Sequence, residues 1–388
     1  MGERLRVLAV DVGTGTQDIL LFDSDKTIEN CFQLIMPSPT VMVAERIHRA
    51  TAQGRPVLLT GRTMGGGPSG WAARDHAQAG FPCYATADAA RTLDDDLTAV
   101  TDLGLTIVDD AEAQRLLAMR GTEIEHIVMR DFDGAALQSA LAVFGIDTAV
   151  DVVAVAAFDH GAAPPGYSDR RFRFEYIEEA VRQRPDAAAF AYPAQALPPD
   201  LTRLAAIVED AATYRMAGAD YLLPVYVMDT GAAALLGALD DEMVRAHDDA
   251  LIVNIGNFHT LAFHVRRGRI LSLFEHHTGL LDRVRLEDYL AALTDGSLTN
   301  ERVFEESGHG ALILEPREAF ASGQGRVPFL AVTGPRREIL RGSALQPYEA
   351  VPHGDMMLAG CFGLLRALAA LDERYAAPVE RVLGPALT

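Results

Sequence analysis

Apolar residues run without a break through Val7-Leu8-Ala9-Val10, stop at Asp11, and resume at Ile19-Leu20-Leu21-Phe22. An unbroken apolar run is the mark of a strand buried on both faces. Between the runs lies Val12-Gly13-Thr14-Gly15-Thr16-Gln17-Asp18, whose glycines permit a tight turn. The pattern predicts strand, turn, strand. It recurs far downstream, where Leu251–Val265 again reads strand, Gly256-Asn257 turn, strand. Each copy continues into a third strand: Thr27–Met36 after the polar Asp23-Ser24-Asp25-Lys26, and Ile270–Phe274 after Arg266-Arg267-Gly268-Arg269. Two such meanders predict an α/β chain with two related halves facing each other across a cleft. The plainer alternative is a pair of ordinary glycine-turn hairpins.

The rest of the pattern fills in around them. Helices are predicted over Val41–Gln53, from the glycine loop through His76, and over Gly134–Phe144, Asp200–Tyr214 and Asp282–Leu293. Strands are predicted over Pro56–Thr60, Ile124–Met129, Val150–Phe158, Leu222–Met228 and Phe329–Thr333. Tyr84–Asp110 is acidic and reads as surface covering. Asp229–Leu239 and Asp355–Leu365 are rich in Ala and Gly, which predicts two helices that cross closely and act as a hinge; an alanine-rich composition is the alternative reading.

Length and charge narrow the function. A chain of 388 residues forms a large core, with two domains as the natural expectation. The net charge of −20 speaks against nucleic-acid binding, because no surplus of cations exists to neutralise phosphates. It suits a cytoplasmic protein. Met1–Arg6 runs straight into a strand without a signal-peptide core, and Met356–Leu371, broken by Arg366, is too short for a membrane span. Cys31, Cys83 and Cys361 are far apart, so no cysteine motif for an iron–sulfur cluster or zinc exists. Lys26 is the only lysine, which removes a Walker A loop and a Schiff-base lysine in an apolar pocket. GxGxxG is also absent.

The candidate chemistry lies where strands end. Asp11 closes the first strand, next to the Gly13, Thr14, Gly15, Thr16 turn, whose N–H and hydroxyl groups can wrap a phosphate while the aspartate holds a divalent cation through water. Thr63 and Gly65-Gly66-Gly67 precede a helix carrying Pro68 near its first turn, as either a substrate or phosphate loop or a flexible connection. Asp159, His160 and Gly161 follow a buried strand, where open α/β sheets place ligands; a solvated turn is the alternative. Arg170, Arg171 and Arg173 fork onto an anion or pair with local acids. Gly334-Pro335-Arg336-Arg337 is a further anion or nucleotide contact at a helix start. His160, His276, His277, His309 and His353 sit in compact Gly- or Asp-rich motifs, and His259 and His264 in the second meander. Their spacing matches no ligand signature, so a transition-metal site is the less favoured reading.

The order of these pieces resembles the actin/sugar-kinase/heat-shock-chaperone ATPase superfamily. Asp11–Asp18 is similar to its first phosphate motif, Asp229–Leu239 to its first connecting helix, Asn254–Thr260 to its second phosphate motif, Val332–Arg337 to its adenosine motif and Gly354–Leu365 to its second connecting helix. More narrowly, DVGTGTQDILLF, TMGGGP, DHG, DTGAAALLGAL, NIGNFHTLAF, FEHHTG, GHGA and TGPRR resemble a family whose members carry the label "putative pyruvate formate-lyase activating enzyme". A radical activator of that kind needs a cysteine triplet, and this chain has none. The resemblance implies two RNase H-like lobes, residues 1–247 with the C-terminal segment 357–388 returning to them, and residues 248–356. It implies ATP and Mg²⁺ in the cleft, Mg²⁺ on Asp11 and Asp229, and phosphates on Gly13–Thr16 and on Gly256, Asn257, His259 and Thr260. The nucleotide would lie on Gly334, Pro335, Arg336 and Arg337. Asp159 is the expected general base, beside His160, with Thr63, Gly65, Gly66, Gly67, His276, His277 and His309 toward a substrate. Asn254 stands where an acid usually begins the second motif, and the adenosine motif has a single glycine. The expectation is an ATP-dependent phosphotransferase or ATPase acting on a small molecule or a protein partner. The competing readings are a non-catalytic nucleotide-gated interaction protein and a metal-assisted hydrolase or carboxylase built on the histidines.

Overall fold

The computed structural model describes residues 4–119, 123–214, 223–315 and 328–386. β1 (Arg6–Val12) pairs antiparallel with β2 (Thr16–Asp23), with Val12 opposite Gln17, so that Gly13–Thr16 close the turn. β3 (Phe32–Pro37) completes the first meander; the start of its predicted span is instead a short 3-10 turn at Ile28–Asn30.

The chain then leaves this sheet. β4 (Val57–Gly61), β5 (Cys83–Thr86), β6 (Thr106–Val108) and β7 (Glu125–Met129) form a separate parallel sheet in the order β6-β5-β4-β7. This corrects the expectation that Tyr84–Asp110 only covers a surface. Two of its strands and the helices Ala87–Ala90 and Leu97–Asp102 lie here, with Ala85, Ala89, Ala90, Val100 and Leu105 in the core. The core residues are mostly alanines, whose apolar signal is weak beside the exposed acids of Asp94-Asp95-Asp96.

β8 (Val152–Ala157), β9 (Ala191–Pro193) and β10 (Val225–Met228) return to the first sheet, ordered β3-β2-β1-β8-β10-β9. Leu222, the expected first residue of β10, lies outside the described residues. Apolar packing on both faces explains the unbroken run of β1. Val7 and Ala9 join the core with Phe174, Ile177 and Val181 of the helix Asp169–Gln183, while Leu8 and Val10 join the one with Leu204 and Ile207 of the helix Thr202–Ala211. The helix Asp169–Gln183 was not legible in the pattern, because its core face includes the buried Arg173.

β11 (Asp249–Ile255), β12 (His259–Arg266) and β13 (Arg269–His277) form the second meander, extended by β14 (Gly310–Ile313), β15 (Phe329–Thr333) and β16 (Tyr348–Glu349) in the order β14-β13-β12-β11-β15-β16. β15 runs parallel to β11 as β8 does to β1, so the two six-stranded sheets share one plan in a mixed α/β fold.

The helices Thr230–Ala238 and Ala359–Leu371 cross in close contact. A Cβ on Gly237 would strike the Ala359 carbonyl, and one on Gly363 the Ala233 carbonyl. The small residues are therefore required by backbone approach, and a Cβ on Gly360 would strike the Asp11 carboxylate. Arg366, which interrupts the apolar C-terminal stretch, is buried against Asp240 at 2.7 Å. Among the described residues, no helix is long and apolar enough to cross a membrane.

Candidate functional site

The two glycine turns meet. Gly13, Thr14, Gly15 and Thr16 from the first meander and Gly256, Asn257 and His259 from the second line one cavity of about 290 Å³. An ideal Cβ on Gly15 would lie 3.2 Å from the Asn257 side-chain nitrogen, so the turns touch across the cavity. Gly13 N–H donates to Thr16 C=O at 2.9 Å, and Gly256 N–H to His259 C=O at 2.9 Å, giving the two turns the same closure. Asp11, Asp18, Asp229 and Thr230 also line the cavity, and Gly334, Pro335, Arg337, Met356 and Met357 line it too.

Acids dominate the electrostatics. Asp11 Oδ1 accepts from the Thr230 hydroxyl at 2.6 Å. Burial, then the neighbouring Asp18 and Asp229, push the Asp11 carboxyl up to about 8 despite Thr230. Asp18 sits opposite Asp11 in the β1–β2 register, and burial pushes it up to about 7. The Asp18 Oδ1 atom is buried without a hydrogen-bond partner. Asp229 caps the helix Thr230–Ala238 through Ala232 N–H at 3.1 Å, and its other oxygen lies 2.8 Å from Arg173 Nη2. Burial raises the Asp229 carboxyl and Arg173 opposes that rise. Arg173, almost fully buried, also binds Glu275 through two nitrogens at 2.7 and 3.0 Å. The expected choice between an anion and local acids thus resolves for Arg173 as pairing with acids remote in sequence, Asp229 and Glu275. Arg170 instead donates to the Phe304 and Gly308 carbonyls. An orphaned carboxylate oxygen beside a second buried acid is a donor set that fits a hard divalent cation such as Mg²⁺. Asp18 and Glu275, which line this cavity, were not singled out for it from the sequence; an aspartate at the head of the apolar run of β2 was the available signal for the first.

A second chamber of about 300 Å³ adjoins the first and shares Gly13, Thr14, Phe158, Thr230, Phe258 and His259 with it. Thr63, Gly65, Gly66 and Gly67 form one wall, and Asp159 and His160 another. The glycine loop is held rather than loose: Gly65 N–H donates to both Asp131 oxygens at 3.1 Å, Arg203 clamps the same carboxylate at 2.7 Å, and Thr40 Oγ1 donates to Gly66 C=O at 2.6 Å. Gly67 adopts φ 65° beneath the Phe258 ring, a conformation and a clearance that glycine supplies. Both Asp159 oxygens accept backbone N–H groups, from Gly161 and Leu204, each at 2.9 Å. His160 Nε2 lies 3.9 Å from Asp95, which raises the imidazole's affinity for a proton.

Other expected residues sit apart from both chambers. Arg336 N–H donates to the Ile255 carbonyl, and Arg337, not Arg336, faces the first cavity. The Thr260 hydroxyl is buried against Thr278 at 3.0 Å. His276 is buried, its ring nitrogens on the His277 and Glu306 carbonyls. His277 and His309 gather with His259, their rings 4.5–5.2 Å apart.

The family model described as "Putative pyruvate format-lyase activating enzyme (DUF1786)" matches residues 64–339. The cysteines do not fit the iron–sulfur chemistry which that description implies. Cys31, Cys83 and Cys361 are each buried and free, Cys83 in the core of the four-stranded sheet and Cys361 against the Ala9 and Asp18 carbonyls. No curated protein matches significantly. Among solved structures, the chain is similar to one described as a putative N-acetylmannosamine kinase from Listeria monocytogenes, with 12% identity over 93% of this chain and 99% of that one, TM-score 0.32. A ROK-family transcriptional regulator, homologous to the E. coli MLC protein, shares 11% identity over 69% of this chain, TM-score 0.26; the match spans only 38% of the regulator. A PPX-GPPA enzyme from Aquifex aeolicus shares 7% identity over 86% of this chain and 69% of that one, TM-score 0.24.

Proposed function

The chain belongs to the DUF1786 family, and we propose that it binds Mg²⁺-ATP between two RNase H-like lobes and acts as an ATP-dependent phosphotransferase or ATPase. The lobes would be residues 1–247 with 357–388, and residues 248–356. The observation that carries this reading is the pair of glycine turns lining one cavity beside Asp11 and Asp18. Backbone N–H groups of Gly13–Thr16 and Gly256–His259 would cradle phosphates, Gly334, Pro335 and Arg337 would contact the nucleoside, and Asp11 with Asp18 would hold the cation. Bound Mg²⁺ would neutralise phosphate charge during transfer. Asp229, expected as the second cation ligand, would instead act through its pairing with Arg173 to set the charge balance behind the cation.

The adjoining chamber supplies the acceptor side. It opens on the Gly13–Thr14 turn, so an acceptor hydroxyl or water held by the Gly65–Gly67 loop would face the terminal phosphate. His160, beside Asp95, would take the acceptor's proton in place of the expected Asp159, both of whose oxygens are already held by the Gly161 and Leu204 N–H groups. The acidic chain suits a small-molecule acceptor in the cytoplasm over nucleic acid. Asn254 lines the cavity where an acid would be expected, and this favours a second reading, a nucleotide-gated interaction protein without turnover. Isothermal titration with Mg²⁺-ATP separates the outcomes. Binding lost in Asp11→Asn supports the site, ATP turnover in the wild type supports the enzyme, and a folded sample that binds no nucleotide removes both.

A further inference from the structure

Three imidazoles stand out from all others in the fold. His259 and His277 lie on the paired strands β12 and β13, opposite one another in register, and His309 precedes β14. One ring nitrogen from each lies within 4.8 Å of the others. Elsewhere the inward-facing imidazoles each make at least one hydrogen bond: His76 to Thr51, His126 to Thr60, His264 to Asp249, His276 to two carbonyls and His353 to Asp240. In the trio, no ring nitrogen makes a hydrogen bond to any described residue, and His309 Nδ1 is buried with no partner although only 3% of its side chain is exposed. Buried polar atoms left unpaired are uncommon in native proteins and call for a cause.

We infer that His259, His277 and His309 form a binding site for a divalent transition cation of the Zn²⁺ class, distinct from the Asp11 cation site. Imidazole nitrogens suit this class, whereas the all-oxygen set around Asp11 suits a harder cation. A tetrahedral ion with bonds of about 2.0–2.1 Å brings its ligand nitrogens to roughly 3.4 Å of one another, a closure that ring rotation supplies. Glu275 Oε2 lies 3.7 Å from His309 Nδ1, which sets a carboxylate beside the trio without hydrogen-bonding it. The nearby Arg173 is itself paired with Glu275 and Asp229, which offsets its charge.

Three protein ligands leave a coordination position open, the arrangement of catalytic rather than structural sites. His259 lines both chambers of the cleft, so that position faces the space where an acceptor would lie. Its ligand would be an oxygen of the second substrate, a carboxylate or carbonyl. The site stands on its own residues and does not require the nucleotide reading.

The test uses the full-length protein stripped with chelator and titrated with Co²⁺, then with Zn²⁺ against a chromophoric chelator, without nucleotide. One equivalent should bind, with the visible absorption of four-coordinate Co²⁺, and Zn²⁺ should displace it. His277→Gln and His309→Gln, each checked for folding by circular dichroism, should weaken binding at least 100-fold. His353→Gln should leave it unchanged, and Asp11→Asn should keep Co²⁺ binding while losing Mg²⁺-ATP. No absorption band, or a band that persists in both His277→Gln and His309→Gln, overturns the site. Should His309→Gln fail to fold, the half-buried His277 variant decides alone.

Discussion

Asp11→Asn should change stability in opposite directions at the two ends of the accessible pH range. The folded-state carboxyl titrates near 8 against a reference of 3.8, because burial and then Asp18 oppose its ionisation. The folded protein therefore holds this proton after the unfolded chain has released it, and stability falls as pH rises from about 4 to about 8. Each pH unit in that window removes about 1.4 kcal/mol, to a ceiling of roughly 6 kcal/mol above pH 8. Asparagine cannot ionise, so the variant escapes this loss. It can still accept from Thr230, but its amide nitrogen lacks an evident acceptor, at a cost of about 1–3 kcal/mol. Balanced against each other, the terms make the variant less stable than the wild type near pH 4.5, equal to it at about pH 5–6, and more stable by about 2 kcal/mol or more at pH 8. Urea denaturation in chelator at pH 4.5, 6, 7 and 8 measures the difference. Adding Mg²⁺ at pH 8 should stabilise the wild type and leave Asp11→Asn unmoved. A stability difference that stays flat across this range would refute the reading of Asp11 as a buried carboxyl that resists ionisation until a cation is bound.

Arg173→Met leaves Asp229 and Glu275 buried without their counter-charge, and should cost about 3–5 kcal/mol at pH 8 by urea denaturation, with Arg173→Met/Glu275→Gln recovering part of the loss. Gly363→Ala drives a Cβ into the Ala233 carbonyl at the helix crossing and should cost roughly 1–3 kcal/mol or more, read as a lowered melting temperature, whereas Gly279→Ala, with open space around it, should be neutral. Asp95→Asn should lower the His160 titration midpoint followed by NMR, since Asp95 is the main cause of its rise; an unchanged midpoint would sever the pair.

What the sequence disclosed and what it hid divide along physical lines. The meanders were legible because burial on both faces leaves an unbroken apolar run, and a glycine turn closes it. β1, β2, β11 and β12 appear where the pattern put them, and their turns share one cavity. The small-residue helices were legible because close approach admits only small side chains, as Gly237 and Gly363 demonstrate. The four-stranded sheet was obscured by a core built on alanines next to surface acids. The helix Asp169–Gln183 was obscured for the opposite reason: its buried face carries a cation. Arg173 is charged in sequence and buried in space because Glu275, on another sheet, and Asp229, at the head of a connecting helix, supply its counter-charges. No local pattern encodes that pairing, since each partner reads as a surface residue until the other is placed. The same holds for the histidines. His259, His277 and His309 lie at irregular intervals along the chain, but strand pairing sets the first two side by side and the turn before β14 brings in the third. Constellations fixed by sheet register have no sequence spacing of their own. They become visible only after the strands are paired, and there an unpaired nitrogen says more about function than the motif that contains it.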